Sequence, residues 1–259
     1  MFSGCDTLNK IVCGDVLTEL RNLDDESVDV VITSPPYNLK NSTGNGMKDG
    51  RGGKWSNAKL MEGYDNHEDS LSREDYINWM QEVLTECFRV VKSDGAIFFN
   101  HKFRVQGGLM EGHPFLEGFN VRQMIIWARS GGFNFNAGYF LPTYEVIYLM
   151  PKTARGKNSF KLKKGGNKLG DVWRIHQDTK NPHPAPFPVE LVDNILSSCE
   201  GTVVLDPFGG SGTVGVSAVK HGWNYILIDN SPEYCQMAED RIKTAVEKSK
   251  EIARMEEES

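Results

Sequence analysis

The unit that most constrains the fold is a strand, glycine turn, helix and strand near the carboxyl terminus. An apolar run at Thr202–Leu205 precedes the turn, a helical stretch at Val214–Lys220 follows it, and a second apolar run occupies Tyr225–Ile228. Strands joined by such a helix lie parallel in one sheet, because a parallel pair needs a crossover connection. Runs that are apolar throughout are typical of strands covered on both faces. The unit therefore predicts an α/β protein.

The same alternation of strands and helices continues through the rest of the chain. Val28–Ile32 (VDVVI) is another continuous apolar run, and the clearest helix begins at Ser72, which can cap it with Asp75 three residues on. We expect that helix to end at Asp94-Gly95. Together these elements predict one domain over residues 1–259 with a doubly wound, mostly parallel sheet. The other predicted elements are strands at 9–15, 96–99, 124–127 and 146–150 and helices at 16–23, at 189–198 and from Ser231-Pro232 onward.

Composition narrows the class of protein. The chain has 259 residues, of which 39% are hydrophobic and 25% charged. No apolar stretch approaches the roughly 20 residues of a membrane span, and no secretion signal opens the sequence. We therefore expect a soluble, cytoplasmic protein that does not associate with a membrane. The five cysteines form no CxxC pair, which predicts reduced thiols and no metal site.

Two segments stand apart from the alternation of strands and helices. Residues 40–63 are rich in glycine, asparagine and lysine and predict a flexible loop. Residues 151–180 contain nine Lys or Arg and two acids, a charge of +7, whereas the whole chain carries −6. Concentrated positive charge on an acidic body attracts a polyanion to one face. We therefore interpret 151–180 as a small basic insertion that faces such a partner.

The glycine turn has the composition of a nucleoside-cofactor site. DPFGGSGT fits neither GxGxxG nor GxxxxGK[ST], which argues against a dinucleotide or a triphosphate. Its glycines let the main chain approach a ligand closely. Asp206, at the strand end, would repel phosphates but attract a cation, and Asp229, 23 positions later, can accept hydrogen bonds from ribose hydroxyls. S-adenosylmethionine has a sulfonium and an ammonium group and is the predicted cofactor.

A second candidate site follows the strand VDVVI, where Ser34-Pro35-Pro36-Tyr37 leaves the sheet. Ligands bind at strand ends in open α/β sheets. Each proline lacks an N–H and fixes its backbone angle, so we expect both proline carbonyls to point outward. The Ser34 hydroxyl and the Pro35 carbonyl could then accept the hydrogens of an exocyclic amine and favour its pyramidal transition state. Tyr37 could stack on a base swung out of the helix.

These motifs, together with HPAPFPVELV, resemble the β-group of DNA amino-methyltransferases, which modify N4 of cytosine or N6 of adenine. The catalytic motif precedes the cofactor motif, which matches the circularly permuted order of that group. The resemblance runs from Ile11 to about Arg241 and implies a Rossmann-like methyltransferase fold that uses S-adenosylmethionine. It implies a catalytic motif at Ser34, Pro35, Pro36 and Tyr37. It implies cofactor-binding residues at Asp15, Asp206, Pro207, Phe208, Gly209, Gly210, Gly212, Thr213, Asp229 and Phe187, the last in a place where many relatives have Lys or Gln.

The first position of the catalytic motif bears on which base is methylated. Ser preceded by Thr, as in Thr33-Ser34, resembles the cytosine-N4 members, whereas adenine members usually place Asp or Asn there. We therefore predict site-specific methylation of N4 of a flipped cytosine, with N6 of adenine as the alternative. Rivals are an RNA methyltransferase, a glutamine-directed methyltransferase, which the motif order opposes, and a non-catalytic DNA-binding protein, which the intact motifs oppose. An NAD-dependent oxidoreductase would need GxGxxG.

The basic insertion is the candidate target-recognition region, and double-stranded DNA is the expected partner. Phosphate contacts position a duplex without reading it, so we assign its lysines to phosphates. A solvated lysine-rich loop is the alternative, and the loop at 40–63 is a second candidate. A cognate restriction endonuclease and a homodimer are left open. The predicted DNA contacts are Lys161, Lys163, Lys164 and Arg174, with Trp173, Arg174 or His176 nearer the bases. His101, His113 and His176 are otherwise interpreted as ordinary surface or packing histidines, since the chemistry needs no metal.

Overall fold

The computed structural model describes residues 8–38, 71–106, 109–129, 138, 140–178 and 187–257. The predicted loop at 40–63 and most of the HPAPFP motif lie outside the described residues. Among the helices described, none is long and apolar enough to cross a membrane. The strands are β1 (Lys10–Cys13), β2 (Val28–Thr33), β3 (Val91–His101), β4 (Arg104–Gln106), β5 (Leu109–Glu111), β6 (Gln123–Ala128), β7 (Tyr144–Pro151), β8 (Val172–Arg174), β9 (Val203–Asp206) and β10 (Asn224–Asp229). The helices are α1 (Val16–Arg21), α2 (Arg73–Val90), α3 (Val189–Ser198), α4 (Thr213–His221) and α5 (Pro232–Glu257).

Eight of these strands form one mixed sheet in the order β1-β10-β9-β2-β3-β7-β6-β8. The first five strands in this order are parallel, β7 is antiparallel to both of its neighbours, and β8 is parallel to β6. From the boundary between β9 and β2, the chain proceeds outward in opposite directions, to β10 on one side and to β3 on the other. Such a boundary is a topological switch point, where doubly wound sheets bind ligands. The predicted α/β fold with a mostly parallel sheet is confirmed.

Helices cover both faces of the sheet and enclose two hydrophobic layers. On one face, α3, α4 and α5 contribute buried side chains such as Leu191, Val214 and Ile242. On the other face, α1 and α2 contribute Leu20 and Met80. The central strands are apolar throughout because both of their faces are covered in this way. The polar residues of the two predicted motifs lie at the carboxyl-terminal edge of the parallel strands.

Helix α2 begins as the sequence predicts and ends earlier. The Ser72 side chain accepts a hydrogen bond from the Asp75 N–H, which is the predicted cap. The predicted end at Asp94-Gly95 is wrong, because β3 starts directly after α2 and contains both residues. A side chain added at Gly95 would collide with the Asp29 carbonyl oxygen. The register between β2 and β3 shifts at this point, so this glycine permits a close approach of two strands and does not form a turn.

The basic insertion at 151–180 is anchored in the core. Phe160, Trp173 and Ile175 are buried. Strand β8 extends the sheet by pairing with β6, and Leu162 forms an isolated bridge with Cys199. The insertion therefore belongs to the same folded unit as the sheet, and most of its described charged side chains, such as Lys161 and Lys164, are exposed.

Candidate active site

The two predicted motifs lie side by side at the switch point. Strands β2 and β9 are neighbours, with Val31 opposite Leu205. Ser34 and Asp206 consequently occupy the same carboxyl-terminal edge of the sheet. The Thr33 hydroxyl donates to Asp206 Oδ1 at 2.9 Å, across 173 positions of sequence. Because Thr33 directly precedes the SPPY motif, this hydrogen bond holds that motif beside the glycine turn.

The glycine turn joins β9 to α4 in a conformation that glycine permits. Gly210 and Gly212 have φ angles of 48° and 77°, a region that other residues rarely adopt. The Gly210 N–H donates to Asp229 Oδ2 at 2.8 Å, which ties the turn to the end of β10. A Cβ added at Gly212 would lie 2.7 Å from the Cβ of Ala238 on α5. The turn therefore packs too closely against α5 to accept a side chain at Gly212.

Two carboxyl groups at neighbouring strand ends make the turn acidic. Asp206 is 1% exposed, and burial raises its pKa to about 7, although hydrogen bonds from the Phe208 N–H and the Thr33 hydroxyl counteract the shift. Burial also raises the pKa of Asp229, against two hydrogen bonds from backbone N–H groups. A buried negative charge is costly unless a positive group lies nearby. Asp206 therefore fits a cationic ligand, such as the sulfonium and ammonium groups of S-adenosylmethionine. The role of Asp229 as acceptor for ribose hydroxyls stays a prediction.

Two side chains outside the sequence motifs support the turn. Arg241 on α5 donates through Nη1 to the Ser211 carbonyl and hydroxyl and to the Thr213 hydroxyl. Trp79 on α2 packs edge-on against Phe208, with the ring centroids 5.7 Å apart. Sequence reasoning missed both residues, because each lies on a helix whose pattern records only which face is apolar.

The other predicted cofactor residues lie in different surroundings. Pro207 and Thr213 are buried, one in the turn and one at the start of α4. Asp15 is exposed and caps α1, where its Oδ1 accepts from the Thr18 N–H and hydroxyl, each at 2.9 Å. Phe187 is buried in the hydrophobic layer that contains α3. The roles of Asp15 beside the adenine amine and of Phe187 at the methionine end stay predictions.

The SPPY motif is braced by Tyr76 on α2 and His101 at the end of β3. The Tyr76 hydroxyl donates to the Pro36 carbonyl at 2.8 Å. The sequence predicts proline carbonyls that point outward and are unpaired by the sheet; the Pro36 carbonyl is instead occupied by a side chain of α2. The Tyr37 ring lies against the His101 ring, with centroids 4.6 Å apart, and His101 Nε2 is 2.9 Å from the Tyr76 hydroxyl. His101 is buried, so of the two predicted alternatives, surface or packing, it is a packing histidine, and Tyr37 of the SPPY motif is one of its ring neighbours.

Behind the motif lies a polar network that sequence reasoning missed. Ser34 Oγ is 2.8 Å from the Tyr37 hydroxyl. Asn100 Nδ2 donates to the Tyr37 hydroxyl oxygen at 2.9 Å and to Glu145 Oε2 at 3.1 Å. Arg129 Nη1 is 3.1 Å from Glu145 Oε1. The sequence marks Asn100 and Glu145 only as single polar residues at the ends of apolar strands.

Comparison with known proteins identifies the family to which this site belongs. The family model for DNA methylases of the N6/N4 type matches residues 28–240. The chain belongs to this DNA methylase family. The predicted resemblance to DNA amino-methyltransferases is thereby confirmed.

Two curated relatives of this methylase match over most of its length. The chain is 29% identical over 257 residues to the type II methyltransferase M.HpaI of Haemophilus parainfluenzae, covering 90% of this chain and 74% of the relative. It is 28% identical over 273 residues to the DNA adenine methyltransferase YhdJ of Escherichia coli (strain K12), covering 91% of this chain and 83% of the relative.

Two solved structures share the fold of this methylase. The cytosine-N4-specific PvuII DNA methyltransferase aligns with a TM-score of 0.69 at 18% identity, over 90% of this chain and 85% of that one. TTHA0409 of Thermus thermophilus, a putative DNA modification methylase solved with S-adenosyl-L-methionine, aligns with a TM-score of 0.61 at 22% identity, over 91% and 95%. Cytosine-N4 and adenine specificities both occur among these names, so the family leaves the target base open.

One predicted DNA contact of this methylase lies at the edge of the sheet that holds the SPPY motif. Arg174 is the last residue of β8 and lies opposite Ala128, the last residue of β6. Ala128 lies opposite Tyr144 at the start of β7, and the start of β7 lies beside the end of β3. Arg174 is exposed. Its neighbour Trp173 is buried and donates its indole N–H to the Gly170 carbonyl at 2.6 Å. Of the three candidates for contacts nearer the bases, Trp173 is buried in the core, whereas Arg174 and His176 are exposed.

The predicted lysine contacts lie at the opposite edge. The Lys163 N–H donates to the Ser198 carbonyl at the end of α3, and α3 leads into the amino-terminal end of β9. Lys161 and Lys164 are exposed on either side. This placement does not support the predicted contact of the three lysines with DNA bound at Ser34. Ser34 lies at the carboxyl ends of the parallel strands and the lysines lie at their amino-terminal ends, so the length of the strands separates them.

Proposed function

We propose that this chain transfers a methyl group from S-adenosylmethionine to the exocyclic amine of a base flipped out of double-stranded DNA, preferably N4 of cytosine. The proposal rests above all on the hydrogen bond between Thr33 and Asp206, which joins the strand of the SPPY motif to the strand of the glycine turn. A methyl donor held by the turn would be next to the acceptors of the motif. The membership of the chain in the DNA methylase family supports the same chemistry.

The residues of the motif suit an amine that is a poor nucleophile. The lone pair of an exocyclic amine is delocalised into the base, so attack requires the nitrogen to become pyramidal. Ser34 Oγ and the Pro35 carbonyl would accept the two amine hydrogens and favour that geometry in the transition state. Asp206 would hold the cationic methyl donor, whose sulfonium supplies the methyl group, and Asp229 would accept hydrogen bonds from its ribose hydroxyls. No covalent bond to the enzyme is needed in this scheme.

Base flipping follows from where the reacting amine would have to be. In a duplex the amine is paired and cannot reach an acceptor in a pocket, so the base must leave the stack. The half-buried Tyr37 ring, braced by His101, would stack on the flipped base. Arg174, at the same edge of the sheet, would bind the DNA backbone.

The choice of cytosine rests on Ser34, because the cytosine-N4 enzymes of the β-group usually have serine at this position. Adenine N6 is the second candidate, and the 28% identity to YhdJ supports it. The type II relatives suggest a cognate restriction endonuclease as a partner, and a homodimer stays a prediction from the sequence.

Nucleoside mass spectrometry tests the proposal directly. Unmodified double-stranded DNA is incubated with the purified chain and methyl-labelled S-adenosylmethionine, then hydrolysed, and single-stranded DNA and RNA are treated in parallel. We expect labelled N4-methylcytosine from the duplex and none with the Ser34→Ala variant. Label only in N6-methyladenine would contradict the choice of base. Label in neither nucleoside, or in RNA alone, would contradict the proposed function.

A further inference from the structure

A buried acid lies directly behind the SPPY motif. Glu145, the second residue of β7, is 8% exposed. Its Oε2 accepts hydrogen bonds from the Tyr37 hydroxyl at 3.3 Å and from Asn100 Nδ2 at 3.1 Å, and its Oε1 pairs with Arg129. A buried ion pair adds little net stability compared with apolar packing, so its presence beside a reacting group points to a chemical role.

The directions of the hydrogen bonds follow from a count of protons. Tyr37 has one hydroxyl proton, which it donates to Glu145. The 2.8 Å contact between Ser34 Oγ and the Tyr37 hydroxyl is therefore donated by Ser34. Asn100 Nδ2 donates to the same Tyr37 oxygen at 2.9 Å, which uses its second lone pair. Protons are thus aligned from Ser34 through Tyr37 to Glu145. Asn100 Nδ2 also donates to Ser34 Oγ at 3.3 Å, so Ser34 Oγ keeps one lone pair to accept an amine hydrogen.

We propose that Glu145 is the terminal acceptor of the proton that leaves the target amine, an inference that rests on the proposed function. As the amine nitrogen bonds to the methyl carbon, the carbon–sulfur bond breaks and the sulfonium becomes a neutral thioether. The amine proton passes to Ser34 Oγ, the Ser34 proton passes to the Tyr37 oxygen, and the Tyr37 proton passes to Glu145. Glu145 releases the proton to solvent after the product leaves.

This relay increases the electron density on the amine nitrogen, which is a poor nucleophile. Removal of the proton as the new bond forms returns electron density to the amine nitrogen, and a well-placed base contributes about 10²- to 10⁴-fold in rate. Asn100 cannot act in its place, because a carboxamide does not take up a proton at neutral pH. Asp206 accepts from Thr33 and from the Phe208 N–H on the cofactor side. Glu145 touches Tyr37 and not the base, so it is a positioning residue that acts through the motif.

Charged and titratable groups face Glu145 from three elements. Arg129 follows β6 and forms the ion pair. Lys102 follows β3, and burial lowers its pKa, an effect that the Glu145 charge opposes and the Arg129 charge reinforces. Tyr37 approaches from the turn after β2, and its ring contacts His101, whose pKa burial holds well below the ordinary range. A Glu145→Gln change removes the acid from this group and keeps a side chain of the same shape.

Single-turnover kinetics from about pH 6 to pH 9 test the relay. With S-adenosylmethionine and duplex DNA both saturating, Glu145→Gln should transfer the methyl group about 10²-fold more slowly than the unmodified chain at pH 7. Its rate should then rise about tenfold per pH unit, because hydroxide replaces the missing acceptor. Tyr37→Phe keeps the ring but interrupts the relay, and it should show the same rise. Glu145→Asp keeps a carboxylate and should keep the pH profile of the unmodified chain.

The outcomes separate a proton acceptor from a structural part. A Glu145→Gln rate that is lower by one constant factor at every pH, or within about threefold of the unmodified chain, overturns the inference. If Glu145→Gln fails to bind either substrate, the profile of Tyr37→Phe decides in the same way. Methyl transfer by the unmodified chain is the internal reference. Its absence would contradict the proposed function and this inference with it, whereas transfer with parallel profiles would contradict the relay alone.

Discussion

At neutral pH the Asp206 carboxyl is about half protonated in the ligand-free protein, because burial raises its pKa to about 7. A cation bound beside it stabilises the ionised form and lowers that pKa. Binding of S-adenosylmethionine should therefore release a proton from Asp206 below pH 7. We predict that the affinity rises about 15-fold in total between about pH 5.5 and 7, and by no more than about twofold above pH 7.

The same shift predicts how the stability of the free protein depends on pH. The pKa of Asp206 is raised from an ordinary value of 3.8 to about 7 in the folded chain, which therefore binds the proton more tightly than the unfolded chain does. The stabilisation is complete below pH 3.8 and is lost as pH rises through 7. A shift of about three pH units corresponds to about 4 kcal/mol, taken as an upper bound. Asp206→Asn keeps an acceptor for Thr33, so it should unfold at higher urea than the unmodified chain at pH 8, and this difference should shrink steadily as the pH falls toward about 4.

Titration calorimetry in buffers of different ionisation enthalpy measures both the affinity and the proton released. Asp206→Asn should bind S-adenosylmethionine more weakly and without a pH slope. Asp193→Asn is the matched control, because it removes a carboxylate that bonds to Lys220 and Ser217 on α4 and leaves the turn intact. An affinity of the unmodified chain that changes less than about threefold from pH 5.5 to 7 would refute the reasoning. A slope that persists in Asp206→Asn would assign the proton to Asp229.

Two further predictions concern the turn and the DNA surface. Gly212→Ala should lower the free energy of unfolding by about 1–3 kcal/mol more than Gly222→Ala, because both have positive φ but only Gly212 meets a neighbour, Ala238; equal losses in urea unfolding would contradict the packing argument. Arg174→Glu should weaken duplex binding and reduce the salt slope of log K by about 1 or more, whereas joint replacement of Lys161, Lys163 and Lys164 by Gln should change neither; the reverse result would restore the sequence-based assignment.

The sequence predicts the parts of the fold that local chemistry decides. The Ser72 cap and the bounds of α3 follow from a few neighbouring residues, and the structure agrees with both. Strand β8 has three residues in a basic stretch, so no apolar run predicts it. Trp173 is buried only because β8 pairs with β6, which is a contact between distant segments. From the sequence, Gly95 resembles a helix terminator. The structure shows that glycine is needed there because the Asp29 carbonyl of the neighbouring strand leaves no space for a side chain.

Which residues meet at the site depends less on the order of the motifs along the chain than on the edge of the sheet at which each residue lies. Parallel strands deliver their last residues to one edge, so Thr33 and Asp206 meet although 173 positions separate them. An antiparallel strand delivers its first residues to that same edge, which is why Glu145, near the start of β7, lies against Tyr37. A search for functional residues that reads only strand ends would find the SPPY motif and the glycine turn and miss Glu145. In mixed sheets of this kind, polar residues that open an antiparallel strand next to the switch point belong among the candidates for the site.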